Sequence, residues 1–294
     1  MSDKTKAVLI IVLAAMIGGA VSPVVKIGLR EIPPFSFSFI RFFLASLFLF
    51  PLILKSKIKF DRNIFSLIFV SLLSTANIAL FAFGIKLTSA SVAQFLYAGT
   101  PIMAGIFSYV ILKQRLSLKK WLFITLGLIG VCFVIFLPLI EKNSFPAGNV
   151  TGNILITIGM ILWSLYFVYS KQYQRRFSPL AISSVFIFTS TVIFFFFSLI
   201  ELKTDTAWFY QLSSISLYAL LYVSLFGTIG SYFLAQSAIK LSDPIIASLS
   251  YYFLPIFTYF SSFILLEEKL TPGLIVGTVL VFISVTLTTY SQQN

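Results

Sequence analysis

Ten apolar stretches, each close to 20 residues long and parted by short polar breaks, govern what this chain can fold into. They run roughly over 7–29, 35–54, 64–85, 90–112, 121–140, 150–170, 180–200, 214–236, 244–266 and 271–290. A membrane span needs about 20 predominantly apolar residues. Inside lipid every backbone N–H and C=O must be satisfied within the segment, so each stretch reads as a helix. The connecting loops are about 4 to 13 residues, which leaves no room for a water-soluble domain. With 59% of 294 residues hydrophobic and 10% charged, a soluble fold could not bury the apolar surface. The first stretch has an apolar run of about 23 residues and no small-x-small cleavage site before the second. It therefore reads as a retained span rather than a signal peptide.

The formal net charge of +12 would suggest nucleic acid in a soluble protein. Here the basic residues sit in loops between spans, as the positive-inside rule requires, and no nucleic-acid partner is implied. A cytoplasmic N-terminus puts 14 Lys and Arg inside and 6 outside, with Arg41 left within a span. Both termini are then cytoplasmic, in a multi-pass protein of the cell (inner) membrane. There is one cysteine, Cys132, and no histidine. An intrachain disulfide and a His/Cys metal site are thereby excluded, and neither metal nor cofactor is expected.

The chain also repeats itself. Lys86-Leu-Thr-Ser with Pro101 and Leu112-Lys-Gln-Arg-Leu-Ser overlays Lys240-Leu-Ser-Asp with Pro255 and Leu266-Glu-Glu-Lys-Leu-Thr, at a constant separation of 154. Lys26 and Pro34 match Lys171 and Pro179 at a separation of 145. Two homologous halves, 1–145 and 146–294, hold five spans each. Because five is odd, the second half must enter the membrane from the opposite face. The expected fold is an all-α membrane protein, ten transmembrane helices in two inverted-topology five-helix repeats. That is a transporter architecture, with the solute near the midplane between the halves.

These residues resemble the drug/metabolite transporter superfamily in its ten-span form built from two EamA-type repeats. The resemblance rests on Ser22-Pro23-Val-Val-Lys26, Ile40-Arg41-Phe42-Phe43, Gly84-Ile-Lys86-Leu-Thr-Ser-Ala leading to Thr100-Pro101, and Ala238-Ile-Lys240-Leu-Ser leading to Leu254-Pro255. It extends to the ending Leu265-Leu-Glu-Glu268-Lys-Leu-Thr271 with Gly277, and covers essentially the whole chain. The sequence departs from the family at Gln114, where an acid like Glu268 is usual. It departs again at Gly18-Gly19, where a tryptophan is frequent and the second half has Trp163-Ser164. The halves should therefore line the site unequally. By resemblance, spans 1, 3, 4, 6, 8 and 9 face a central cavity.

Polar and aromatic residues in those spans form the candidate substrate site: Asn77, Gln94, Tyr97, Trp163, Tyr166, Tyr232, Gln236, Ser248, Tyr251 and Tyr252. Gln94 with Tyr97, and Ser248 with Tyr251, are i, i+3 neighbours pointing one way. Tyr97 and Tyr251 are repeat mates. Each is weighed against the gathering of Tyr and Trp at membrane interfaces. Pro101 and Pro255 predict a symmetric pair of kinks, and Gly18, Gly19 and Pro23 weaken span 1. All five are gating candidates, or else packing positions. Arg41 is costly inside a span, but lies about 9 Å from the outer end at 1.5 Å per residue, within partial reach of snorkelling. Structural anchoring is preferred for it over solute binding. Lys26, Lys86, Lys171 and Lys240, near span ends, read as interfacial anchors.

The acids Asp3, Glu31, Asp61, Glu141, Glu201, Asp205, Asp243, Glu267 and Glu268 map to termini, loops or span ends. The interior thus offers no proton-carrying carboxylate, which favours a facilitator or exchanger over a proton pump. Amide and aromatic groups suit a small polar or aromatic metabolite, an amino acid or related zwitterion foremost, carried outward by alternating access. The alternatives are proton-coupled transport of organic cations or nucleobases, and a passive channel. An enzyme lacks support, since no buried carboxylate pair or activated nucleophile is visible. The partners expected are the lipid bilayer and the small solute, with the chain as a monomer or weak dimer.

Overall fold

A computed structural model describes residues 2–55, 62–88, 90–141, 149–204, 206–266 and 272–291. Asp61, Asp205, Glu267, Glu268 and the repeat ending through Thr271 lie outside the described residues, as does the junction between the proposed halves near 145.

Each expected span contains helix, numbered here 1 to 10 in chain order. Helices 2, 3, 5, 6, 7 and 10 are continuous: Pro34–Lys55, Arg62–Leu87, Leu118–Glu141, Val150–Tyr173, Pro179–Thr204 and Pro272–Tyr290. The other four are interrupted. Helix 1 is Asp3–Gly19 then Val21–Gly28, helix 4 is Ala90–Tyr97 then Thr100–Leu112, and helix 9 is Pro244–Ser248 then Ser250–Leu266. Helix 8 runs Ser214–Tyr222, widens to a π-helix over Val223–Gly230, and resumes as Ser231–Leu241. Among the described residues, seven helical segments are long and apolar enough to cross a membrane. The chain is an all-α membrane protein.

The two halves pack through antiparallel pairs, as inversion demands. Ser284 of helix 10 donates to Phe123 O of helix 5 at 2.6 Å, and Gly130 sits against Gly277 O and Val281. Rising number on one helix thus meets falling number on the other. In the same sense Phe35 stacks on Phe197 while Ser46 bonds Thr191, joining helix 2 to helix 7. Asn77 reaches Gly159 while Gly84 meets Gly152, joining helix 3 to helix 6. A Cβ added to either Gly84 or Gly152 would stand 2.9 Å from the other's carbonyl oxygen. Without a hydrophobic drive between helices in lipid, such small-residue contacts let the backbones approach.

The lysines expected at the interface do something more specific. Lys26 Nζ donates to Thr88 O at 2.7 Å, and Lys171 Nζ donates to Ile239 O and Ser242 O at 2.6 Å. Lys171 is the repeat mate of Lys26, and Ser242 that of Thr88. Each lysine therefore satisfies carbonyls left open where helix 3 or helix 8 ends, and its charge meets the negative end of that helix. Lys86 and Lys240 remain exposed.

Acids tie the end of the bundle at which helix 1 finishes. The Glu201 carboxylate accepts from Phe35 N at 3.0 Å and from Ser36 N and Oγ at 2.7 and 2.9 Å, filling donors that the start of helix 2 leaves unpaired. Glu31 accepts from Ser213 N at 2.9 Å where helix 8 begins. That backbone donor, joined by the Ser216 and Ser213 hydroxyls, holds the Glu31 carboxyl below its ordinary 4.5 against a small burial effect. A depressed carboxyl contributes stability above 4.5 that is lost as pH falls through its folded value. The melting temperature should thus be insensitive to this contact from about pH 5.5 to 8 and should fall under stronger acid. Glu31→Gln should flatten part of that acid limb in a thermal melt. An unchanged limb would mean that the tie contributes nothing.

Candidate functional site

Residues beside all four interruptions line one cavity of about 140 Å³. Three of them have a local cause visible in the side chains. Pro23 has no N–H for the carbonyl of Gly19, four residues back, and helix 1 breaks at Ala20. Thr258 Oγ1 donates to that freed Gly19 carbonyl and in turn accepts from Gln94 Nε2, so one hydroxyl joins helices 1, 4 and 9. Pro101 likewise frees the Tyr97 carbonyl, which Thr100 Oγ1 takes at 2.6 Å, and helix 4 turns over Ala98 and Gly99. In helix 8 the wider π turn is held by Thr228 Oγ1 on Val223 O, five residues back, at 2.8 Å. π segments of this kind often mark functional sites.

The helix breaks do not follow Pro101 and Pro255 symmetrically. Helix 9 breaks at Leu249, six residues before Pro255, which lies inside a continuous helical piece. The repeat mate of Thr100 is Leu254, which has no hydroxyl to take the freed carbonyl in the same way. The two halves are therefore broken at different repeat positions.

Of the ten candidate substrate residues, Asn77, Gln94, Tyr97, Trp163, Tyr232 and Tyr251 stand on the cavity wall. Gly18 of the gating set stands there too. Tyr97 and Tyr251 stack on each other with ring centroids 5.7 Å apart, a pair of repeat mates meeting face to face. Asn77 Nδ2 donates to the Tyr97 hydroxyl and to Gly159 O. Trp163 lies against Tyr232 at 5.5 Å. Two polar atoms of this wall, Gln94 Oε1 and Trp163 Nε1, are buried with no partner in bonding geometry.

The remaining four point elsewhere. Tyr166 stacks behind Trp163 and against Phe186. Gln236 bonds Gln174 and Ser170 between helices 8 and 6. Ser248 returns its hydroxyl to Ile245 O, and Tyr252 donates to Ile124 O of helix 5 at 2.7 Å. Tyr251 and Tyr252 are neighbours about 100° apart on a helix, so only one of them can face inward.

Arg41 departs most from expectation. It is 3% exposed and stands on the cavity wall rather than snorkelling to the interface. Its Nε donates to Thr228 Oγ1 at 2.6 Å and one terminal nitrogen reaches Gly227 O at 3.3 Å, both on the π turn. Its guanidinium carbon lies 5.2 Å from the Phe42 ring centroid. No carboxylate of the described residues pairs with it, and the described lining residues include no Asp or Glu. Phe81, Phe167, Ser231 and Ser250 complete much of the wall without having stood out in the sequence, and Ser22 and Leu254, named there only within family motifs, line it too. One signal could have found several: Asn77 with Ser231, Gly18 with Trp163, and Ser22 with Phe167 are repeat mates that line the cavity in pairs.

A model of the EamA-like transporter family matches residues 5–136 and again 150–290. Over 294 residues the chain is 23% identical to Uncharacterized transporter YoaV of Bacillus subtilis (strain 168), covering 97% of each chain. Over 298 residues it is 23% identical to an uncharacterized transporter of Archaeoglobus fulgidus, covering all of both. A crystal structure with 14% sequence identity superposes over 96% of each chain with a TM-score of 0.75, a likeness of fold.

Proposed function

The chain belongs to the EamA-like transporter family, and on that footing we propose its solute class and its mechanism. It is a multi-pass membrane transporter. In our reading it carries a small zwitterion, an amino acid or a close relative, outward by alternating access, as a facilitator or exchanger.

The observation that carries this reading is the cavity lined from both halves by residues beside the four helix interruptions. Its size, about 140 Å³, is close to the roughly 150 Å³ engineered cavity that accepts benzene. That suits a solute of a few to about ten heavy atoms. The wall offers a buried acceptor, Gln94 Oε1, with no partner, and a buried donor, Trp163 Nε1, which lies beside the Tyr251 hydroxyl without a bond of good geometry. A solute that brings both a donor and an acceptor satisfies both. The Tyr97 and Tyr251 rings and Trp163 add faces on which an ammonium can rest. Arg41 on the same wall repels an organic cation that has no compensating anion, which argues against the cation-carrier alternative.

Broken helices supply what alternating access needs, since half-helices can rock about their breaks while the rest of each repeat moves as a body. With no acid among the described lining residues, exchange should proceed without a proton gradient. Counterflow in proteoliposomes tests the reading. Vesicles preloaded with unlabelled leucine, phenylalanine or alanine should transiently accumulate the labelled form of the same solute, equally well from about pH 6 to 8. Flux that rises without saturation would make the protein a channel. A strict need for an imposed pH gradient would make it a proton-coupled carrier.

A further inference from the structure

We propose that Arg41 is the anion receptor of the central cavity, so that the solutes this protein selects carry a carboxylate. The inference rests on the carrier reading above and names what that site recognises.

Arg41 keeps its proton in any protein environment, and a cation within a span costs about 2.5–3.5 kcal/mol on insertion scales. Buried charges are ordinarily paired. Arg41 is 3% exposed, no described carboxylate pairs with it, and its polar neighbours are neutral oxygens of helix 8: it donates to Thr228 Oγ1 and Gly227 O, and the Tyr232 hydroxyl stands beside it. Those bonds satisfy only part of the five-donor guanidinium fork. They also fix its direction, because both acceptors belong to the π turn of helix 8, and Gly227 of that turn shares the cavity wall with Arg41.

A guanidinium held from one side by neutral dipoles presents its remaining donors and its full charge to what enters the cavity. The planar fork matches a carboxylate in two-point geometry. A carboxylate-bearing solute also provides the counter-charge that the described wall lacks. Its Coulomb attraction acts in a lined, apolar space where screening is weak. A purely structural arginine would do as well paired with an acid or turned to the membrane surface, and among the described residues Arg41 does neither. Its repeat mate is Phe186, so the second half offers no matching charge. One anionic group per solute is therefore the complement, and a dianion exceeds it.

Purified protein is melted with leucine and phenylalanine and, for each, with three analogues: the carboxamide, the amine lacking the carboxyl group, and the carboxylate lacking the ammonium. Each series is repeated with chloride replaced by sulfate, and counterflow is run in parallel. The carboxylate-bearing members should raise the melting temperature at concentrations at least tenfold below those of the amide and the amine, in both salts. Arg41→Gln should lose that preference. Arg41→Lys, which keeps the charge but not the fork, should retain part of it. If Arg41→Gln does not fold, the wild-type series and Arg41→Lys decide. Equal protection by amide or amine would overturn the proposal, as would protection by chloride alone or no protection by any carboxylate. In each of those cases counterflow of another solute would leave the carrier reading standing.

Discussion

Thr258→Val should destabilise the protein by several kcal/mol and slow counterflow markedly, although it changes neither the volume nor the shape of the side chain much. Thr258 Oγ1 donates to Gly19 O and accepts from Gln94 Nε2. Gly19 O cannot turn to its helical donor, because position 23 is proline. Valine would thus leave two polar groups unpaired, at about 1–3 kcal/mol each. Thr258→Ser, which keeps the hydroxyl, should remain near wild type. A second substitution provides the sharper check. Pro23→Ala restores an N–H four residues after Gly19, so Thr258→Val with Pro23→Ala should melt higher than Thr258→Val alone. If Thr258→Val melts within a degree of wild type, the three-helix link is dispensable.

Gly19→Ala should be as damaging, for a steric reason. A Cβ at Gly19 would stand 2.7 Å from Phe257 Cβ and 3.1 Å from both the Phe257 carbonyl carbon and Thr258 N. Backbone cannot rotate aside as a side chain can, so helices 1 and 9 must part, and overpacking of this kind costs about 1–3 kcal/mol. The melting temperature should fall by several degrees and counterflow by about tenfold or more. Gly230→Ala is the control, since its added Cβ meets nothing closer than 3.6 Å. Equal behaviour of the two variants would remove Gly19 from the working joint between these helices.

The order of the helical stretches was legible because span length is set by the bilayer, and their antiparallel pairing because five is odd. The phase of each helix was not. In a soluble helix the polar face marks the outside, whereas in lipid both sides are apolar, and Tyr251 and Tyr252 look alike from sequence although only Tyr251 faces the cavity. The π turn of helix 8 contains no proline, only Gly227 and Gly230, so nothing announced it. Arg41 was misplaced for the same reason: depth along a helix can be counted from sequence, but the neighbour it faces cannot. The lysine caps were half visible, since Lys26 with Lys171, and Thr88 with Ser242, recur at the repeat spacings. What was missing was the knowledge that the members of each half touch.

The meeting of Tyr97 with Tyr251, and of Ser46 with Thr191, has a consequence for how such a protein can evolve. A duplicated chain brings only a thin line of residues into contact with their own counterparts. Along that line a change in one copy is felt at once by the other, and there the partners still match, phenol with phenol and hydroxyl with hydroxyl. A few ångströms to either side the copies are free to diverge, and Gly18 stands opposite Trp163 in descent as Arg41 does to Phe186. A gene that began as two like halves has in this way acquired a chamber whose two halves line it with unlike residues.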